Sequence, residues 1–79
     1  MYNEAIKIVD DLPEYYTNRA HALLKLDRFA ESKSDAQKAT ELDPSDSKAH
    51  LRKGIACFHL QQFEEALEAF QESYKHGGN

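Results

Sequence analysis

Seventy-nine residues, 41% apolar and 30% charged, make one small domain that is too rich in Leu, Phe and Tyr to stay disordered and sits near the lower limit for a self-sufficient core. A net charge of −4 argues against general nucleic-acid binding, which draws on a basic surface. One cysteine rules out an internal disulfide, no apolar run approaches the ~20 residues that span a bilayer, and no basic-then-apolar export signal opens the chain, so the expected location is the cytoplasm, with the nucleus as alternative.

In chain order, residues 2–11 place Tyr2, Ala5, Ile6 and Val9 at helical spacing, and Leu12-Pro13 ends that helix because the residue before proline is pushed out of the α region. Pro13 then opens the next helix, residues 14–26, with Tyr16, Ala20, Leu23, Leu24 and Leu26 on the inward side and Glu14, Asn18, His21 and Lys25 on a polar face. Asp27-Arg28 breaks the chain. Residues 29–42 form a second helix with Phe29, Ser32, Ala36, Ala39 and Leu42 turned inward. Asp43-Pro44-Ser45-Asp46 is a turn by composition, and Ser45, Asp46 or Ser47 can cap the next helix. Residues 48–60 and 63–74 repeat the helix pair around a Gln61-Gln62 corner, and His76-Gly77-Gly78-Asn79 stops the last helix.

The repetition is measurable. At an offset of 34, Ala22 meets Ala56, Leu26 meets Leu60, Phe29 meets Phe63, Glu31 meets Glu65 and Gln37 meets Gln71, while Ala20 meets Gly54, small against small. These matches fall at helix-packing positions and bracket the corners, which weakens chance as the explanation. Within the second unit, Lys48 and Arg52 lie four residues apart and so rise from one helix face, able to converge on one anion. Gly54 costs roughly 1 kcal/mol relative to Ala in a helix, which implies a close approach by another helix.

Period and pattern together resemble the tetratricopeptide repeat, in which two-helix units stack to bury a shared core. The resemblance covers the whole chain and implies an all-α fold of helix-turn-helix repeats stacked as a short right-handed α-solenoid: residues 13–46 as one full repeat, 47–79 as a second with a frayed tail, and 1–12 as the end of a truncated first repeat. The family's usual Gly is Ala20 in one unit, and its alanine near the second corner is Ser32; both replacements are small. A group of co-chaperones in this family binds the acidic C-terminal tails of heat-shock chaperones through a carboxylate clamp. This sequence is similar to that group at Asn18, Lys48 and Arg52, and the remaining clamp positions fall in the absent part, so a partial clamp is expected. The run Leu51-Arg52-Lys53-Gly54-Ile55 also looks like the repeat domain of the suppressor-of-G2-allele type co-chaperone adaptors, where the clamp is often incomplete.

Such a clamp has a plain chemistry. A terminal carboxylate beside an Asp side chain offers several lone pairs, and Lys48, Arg52 and the Asn18 amide supply a mobile point charge, a planar fork and a neutral donor. His21, Lys25 and His59 would extend the polar lining, while Thr17, Leu51 and Ile55 would meet the peptide backbone or an apolar side chain. The plainer alternative pairs Lys48 with Glu14, one period away, and Arg52 with a nearby acid, leaving a solvated face. Catalysis has little support: His50 and Cys57 are nearly two turns apart, too far for a thiol-imidazole pair on one helix, and a buried structural cysteine is the expected role. No cofactor is implied, and His21, His50, His59 and His76 show no H-x3-H or C-x2-C spacing for a metal. Two function classes remain: an adaptor that docks an acidic chaperone tail, or an assembly scaffold that binds folded partners without tail binding. Uncovered Tyr2, Ile6 and Val9 at one end and Phe70 and Tyr74 at the other lead to the expectation of a homo-oligomer.

Overall fold

The computed structural model describes residues 12–77. Among them are four helices: α1 (Pro13–Lys25), α2 (Phe29–Leu42), α3 (Ser47–His59) and α4 (Phe63–Lys75). The helix expected over residues 2–11 lies outside the described residues. Leu12 is extended (φ −102°, ψ 116°) and Pro13 holds the first helical position, where its missing N–H leaves no bond unmade. The α2–α3 turn uses Asp46 as its cap. One oxygen, Oδ1, accepts from the Lys48 and Ala49 amides at 3.0 and 3.4 Å, which satisfies two of the donors a helix start leaves open.

The two tight corners are built alike. Asp27 (φ 59°) and Gln61 (φ 65°), one period apart, both adopt the left-handed conformation. The next amide, of Arg28 or Gln62, donates back to the carbonyl of Leu23 or Cys57 at 2.9 and 2.8 Å. This is the six-to-one closure of a helix that ends in a left-handed residue, and a reversal that sharp folds α2 back on α1 and α4 back on α3.

Packing rests on small residues. Helix α1 packs on α2, α2 on α3, α3 on α4, and α1 also meets α3. Of the nine buried apolar side chains among the described residues, seven are alanine, so the backbones lie close and the core is thin. Tyr16, Ala39 and Ala49 join the two helix pairs, with Tyr15 against them. A Cβ added at Gly54 would stand 2.6 Å from the Phe70 ring, which explains the glycine in mid-helix. Ser32 is fully buried, and its hydroxyl donates to the Ala20 carbonyl at 2.7 Å, so the departure from alanine adds a bond between α1 and α2 and leaves no buried polar atom unpaired there. Ser73 does the same across α3 and α4, donating to the Ser47 carbonyl at 2.9 Å.

Three expectations about burial need correction. Leu26 and Leu42, read as inward, are 64% and 39% exposed: each stands where its helix ends and the chain turns away from the packed neighbour. Phe70, read as uncovered, is half-buried over Gly54, whereas Tyr74 is exposed as expected.

Candidate functional site

The residues expected to hold an acidic peptide separate into two groups. At the first turns of α1 and α3, Thr17, Asn18 and Lys48 line an open cavity of about 570 Å³ together with Glu14, Asp43 and Asp46. Thr17 is buried, and its hydroxyl lies 3.0 Å from Asp46 Oδ2 and 3.1 Å from the Pro13 carbonyl, so it holds the α3 cap in place and is not free to meet a ligand. Asn18 and Lys48 are exposed. Asp43 and Asp46 were the signal missed in the sequence, since Asp43-Pro44-Ser45-Asp46 reads there only as turn and cap, whereas Glu14 was already placed near Lys48 by the repeat period. Lys48 makes no ion pair with Glu14 among the described residues.

Further along α1 and α3 the charge turns positive. His21 and Lys25 of α1 come near Arg52 of α3, and the Arg52 guanidinium, reinforced by desolvation and by Lys25, holds the His21 imidazole below its ordinary range. The His21 Nδ1 and the Arg52 Nε are both buried without a hydrogen-bond partner among the described residues. Neither Arg52 nor Lys25 is in an ion pair among the described residues. A guanidinium carries five donors and no acceptor, so an anion is the group that completes it. Leu51 and Ile55, half-buried on α3, flank Arg52 in sequence. His59, eleven residues beyond Lys48 and so about 16 Å along the helix axis, stacks on Phe29 with centroids 4.2 Å apart and planes 7° apart. It is tied to the α2 start and stands apart from both groups.

A forked ion pair on a buried carboxylate lies elsewhere. Arg19 forks onto the buried Asp35 carboxylate at 2.6 and 2.8 Å, donates to the Tyr15 hydroxyl at 2.7 Å, and lies 4.9 Å over the Tyr15 ring. Asp35, ahead of the other causes, raises the Arg19 pKa. This pair joins α1 to α2 and leaves no guanidinium edge of the kind Arg52 offers. Cys57 is buried and its thiol is pushed up chiefly by desolvation, the state of an unreactive core cysteine. His50 turns instead to the Pro44 carbonyl.

A family model described as a tetratricopeptide repeat matches residues 17–78. The chain belongs to the tetratricopeptide repeat family. Among solved structures, the TPR domain of Arabidopsis OM64 superposes with a TM-score of 0.87 at 37% identity, covering 96% of this chain and 63% of that one. A protein SGT1 homolog from Oryza sativa subsp. japonica is 43% identical over 94% of the chain and 20% of the relative. Hsp70-Hsp90 organizing protein 3 of Arabidopsis thaliana is 41% identical over 95% of the chain and 13% of the relative. This TPR chain therefore spans an eighth to a fifth of the length of these relatives.

Proposed function

We propose that this TPR domain is the interaction module of a co-chaperone adaptor, acting in the cytoplasm or nucleus and not as an enzyme, and that it takes the acidic C-terminal peptide of a heat-shock chaperone. The observation that carries the reading is Arg52: among the described residues its Nε is buried without a partner and no acid pairs with it, and His21 and Lys25 add to its field. A terminal carboxylate completes the guanidinium, and Asn18 and Lys48, a turn or so away, serve an acidic side chain upstream of it. The names of the relatives, organizers of Hsp70 and Hsp90, support this choice of partner. The acids Glu14, Asp43 and Asp46 beside Lys48 weaken that end, so the affinity is expected on the order of tens of micromolar or weaker.

Titration with a peptide ending in Glu-Glu-Val-Asp and with its C-terminally amidated twin tests the reading. Only the free carboxylate should bind, Arg52→Ala should abolish binding, and added salt should weaken it. Equal binding of the amidated peptide, or chemical-shift changes confined to α4, would refute it. A second reading rests on a different surface: Phe58, Phe63, Leu67 and Tyr74 are all more than half exposed, with the Phe58 and Phe63 rings edge-to-face at 5.7 Å. An apolar patch of this kind suits a folded partner or a second copy of the chain. Sedimentation of the parent and of Leu67→Lys at micromolar concentration separates the cases: self-association that the lysine abolishes favours the scaffold.

A further inference from the structure

On the opposite side of α3 from the peptide face, the fold gathers a group that the linear spacing of the histidines hides. His50 lies two residues after Lys48, about 200° around the helix, and meets the end of α4. One ring nitrogen of His50, one of His76 and a carboxylate oxygen of Glu72 all lie within 4.8 Å of one another. Glu72 and His76 are four residues apart on α4, with Nε2 and Oε2 at 3.3 Å, and the two imidazoles face each other with centroids 5.6 Å apart and planes 14° apart.

We propose that His50, Glu72 and His76 form a binding site for a borderline divalent transition metal, with Zn²⁺ as its representative. Two imidazoles and a carboxylate are a donor set that suits zinc, which takes three protein ligands and keeps water in the fourth position of open sites. Ligand atoms about 2.0–2.1 Å from a tetrahedral metal are roughly 3.3 Å apart. The observed separations therefore need to close by no more than ~1.5 Å, within the reach of side-chain torsions at the half-exposed rim of a helix pair. The His50 ring is already oriented: its Nε2 lies 2.7 Å from the Pro44 carbonyl, which can only accept, so Nε2 carries the proton and Nδ1 the lone pair. A backbone carbonyl holding the second nitrogen of a ligating histidine is the usual support for such a ligand. The adjoining groove, about 330 Å³, is lined by Glu65, Glu68 and Glu72 with Lys53; Lys33 pairs with Glu65 at 3.1 Å, which leaves Glu68 and Glu72 against Lys53, a small acidic excess that favours a cation. A bound ion would clamp the end of α4 to the first turn of α3, beside the Ser73–Ser47 bond.

Calorimetric titration of the 79-residue chain with Zn²⁺ at pH 7.5 and excess Mg²⁺ tests the site. The expected result is one ion per chain, at least tenfold weaker binding in His76→Gln and in Glu72→Gln, and weaker binding as pH falls, because the ligands must shed protons. At a hundredfold excess of Zn²⁺ over its Kd, Tm should rise on the order of 10 °C. His76 and Glu72 are surface residues at the end of α4, so the variants should fold, and ¹⁵N spectra of the parent give an independent readout: the His50 and His76 ring nitrogens should shift, and those of His21 and His59 should not. Unchanged affinity in His76→Gln, shifts at His21 or His59, loss of binding in Cys57→Ala, or full competition by Mg²⁺ would each overturn the proposal.

Discussion

The two helix pairs share a period and a corner geometry, yet they fill the space between their helices differently. In the first pair the facing positions are Ala20 and Ala36, both fully buried, and Ser32 adds a hydroxyl bond to the Ala20 carbonyl. In the second the same positions are Gly54 and Phe70, with the ring lying where a Cβ would be. The second pair carries the larger side-chain volume, all of it on one helix: a phenyl ring lies over bare backbone where the first pair has one methyl on each side, so the glycine makes room for the ring. The pairs also differ in charge. Arg19 and Asp35 lock α1 to α2, whereas one period later stand Lys53 and Ala69, and the outer side of α4 instead carries exposed Phe63 and Leu67.

The largest expected break in this comparison is Gly54→Ala. The added methyl meets Phe70 at 2.6 Å, and overpacking of this kind costs about 1–3 kcal/mol despite the gain in helix propensity. Combining it with Phe70→Ala, which copies the first pair, should cost less than the two single changes added together. Urea unfolding of the three variants reads the coupling directly.

Asp46→Ala comes next. It removes the α3 cap and the partner of the Thr17 hydroxyl together, for roughly 1–2 kcal/mol. Thr17→Val should cost less in the Asp46→Ala background than in the parent, because the bond to Asp46 is already gone and only the one to the Pro13 carbonyl remains to be lost; thermal unfolding of the single and double variants would show whether the two groups act as one.

Smaller again, and of opposite sign, is Gln61→Gly. Glycine accepts φ 65° without the Cβ penalty, so stability should rise by about 0.5–1 kcal/mol. Asp27→Gly should gain less, since Asp tolerates this conformation better than Gln. A loss of stability at Gln61 would mean that the corner is held by the side chain and not by the backbone bonds.

The smallest effect is one of pH, and it belongs to the first pair alone, because Ile55 stands one period after His21. His21 titrates below its ordinary 6.5 in the folded chain, chiefly because of Arg52. Between the folded value and 6.5 the unfolded chain holds more protons, so stability rises with pH through that window and the penalty is fully present below it. The imidazole is half-buried at the surface, where solvent screens its neighbours, and the slope will be shallow. Proton NMR titration should find the His21 midpoint below 6.5 and moved upward in Arg52→Ala; an unmoved midpoint would separate the two residues.

Much of this protein is local and periodic, and that part can be read from the chain. Pro13 starts α1, Asp46 caps α3, and the recurrence of small residues every 34 positions announces close-packed helix pairs, since each of these acts through its own backbone or through one face of one helix. Gly54 is the clearest case: a residue that weakens a helix implies the neighbour that occupies its space, and Phe70 is that neighbour. The candidate site was half legible. The sequence put Lys48 and Arg52 on one face, but only the packing of α1 against α3 set Lys48 among Glu14, Asp43 and Asp46 and left Arg52 with His21 and Lys25. Likewise His50 and His76, 26 residues apart, show no metal spacing in sequence and become neighbours because α4 folds back along α3. Contacts within a helix are fixed by a rise of 1.5 Å and a turn of 100° per residue. Contacts between helices depend on the height and angle at which they cross, and those were decided by the alanines, Gly54 and the two left-handed corners acting together.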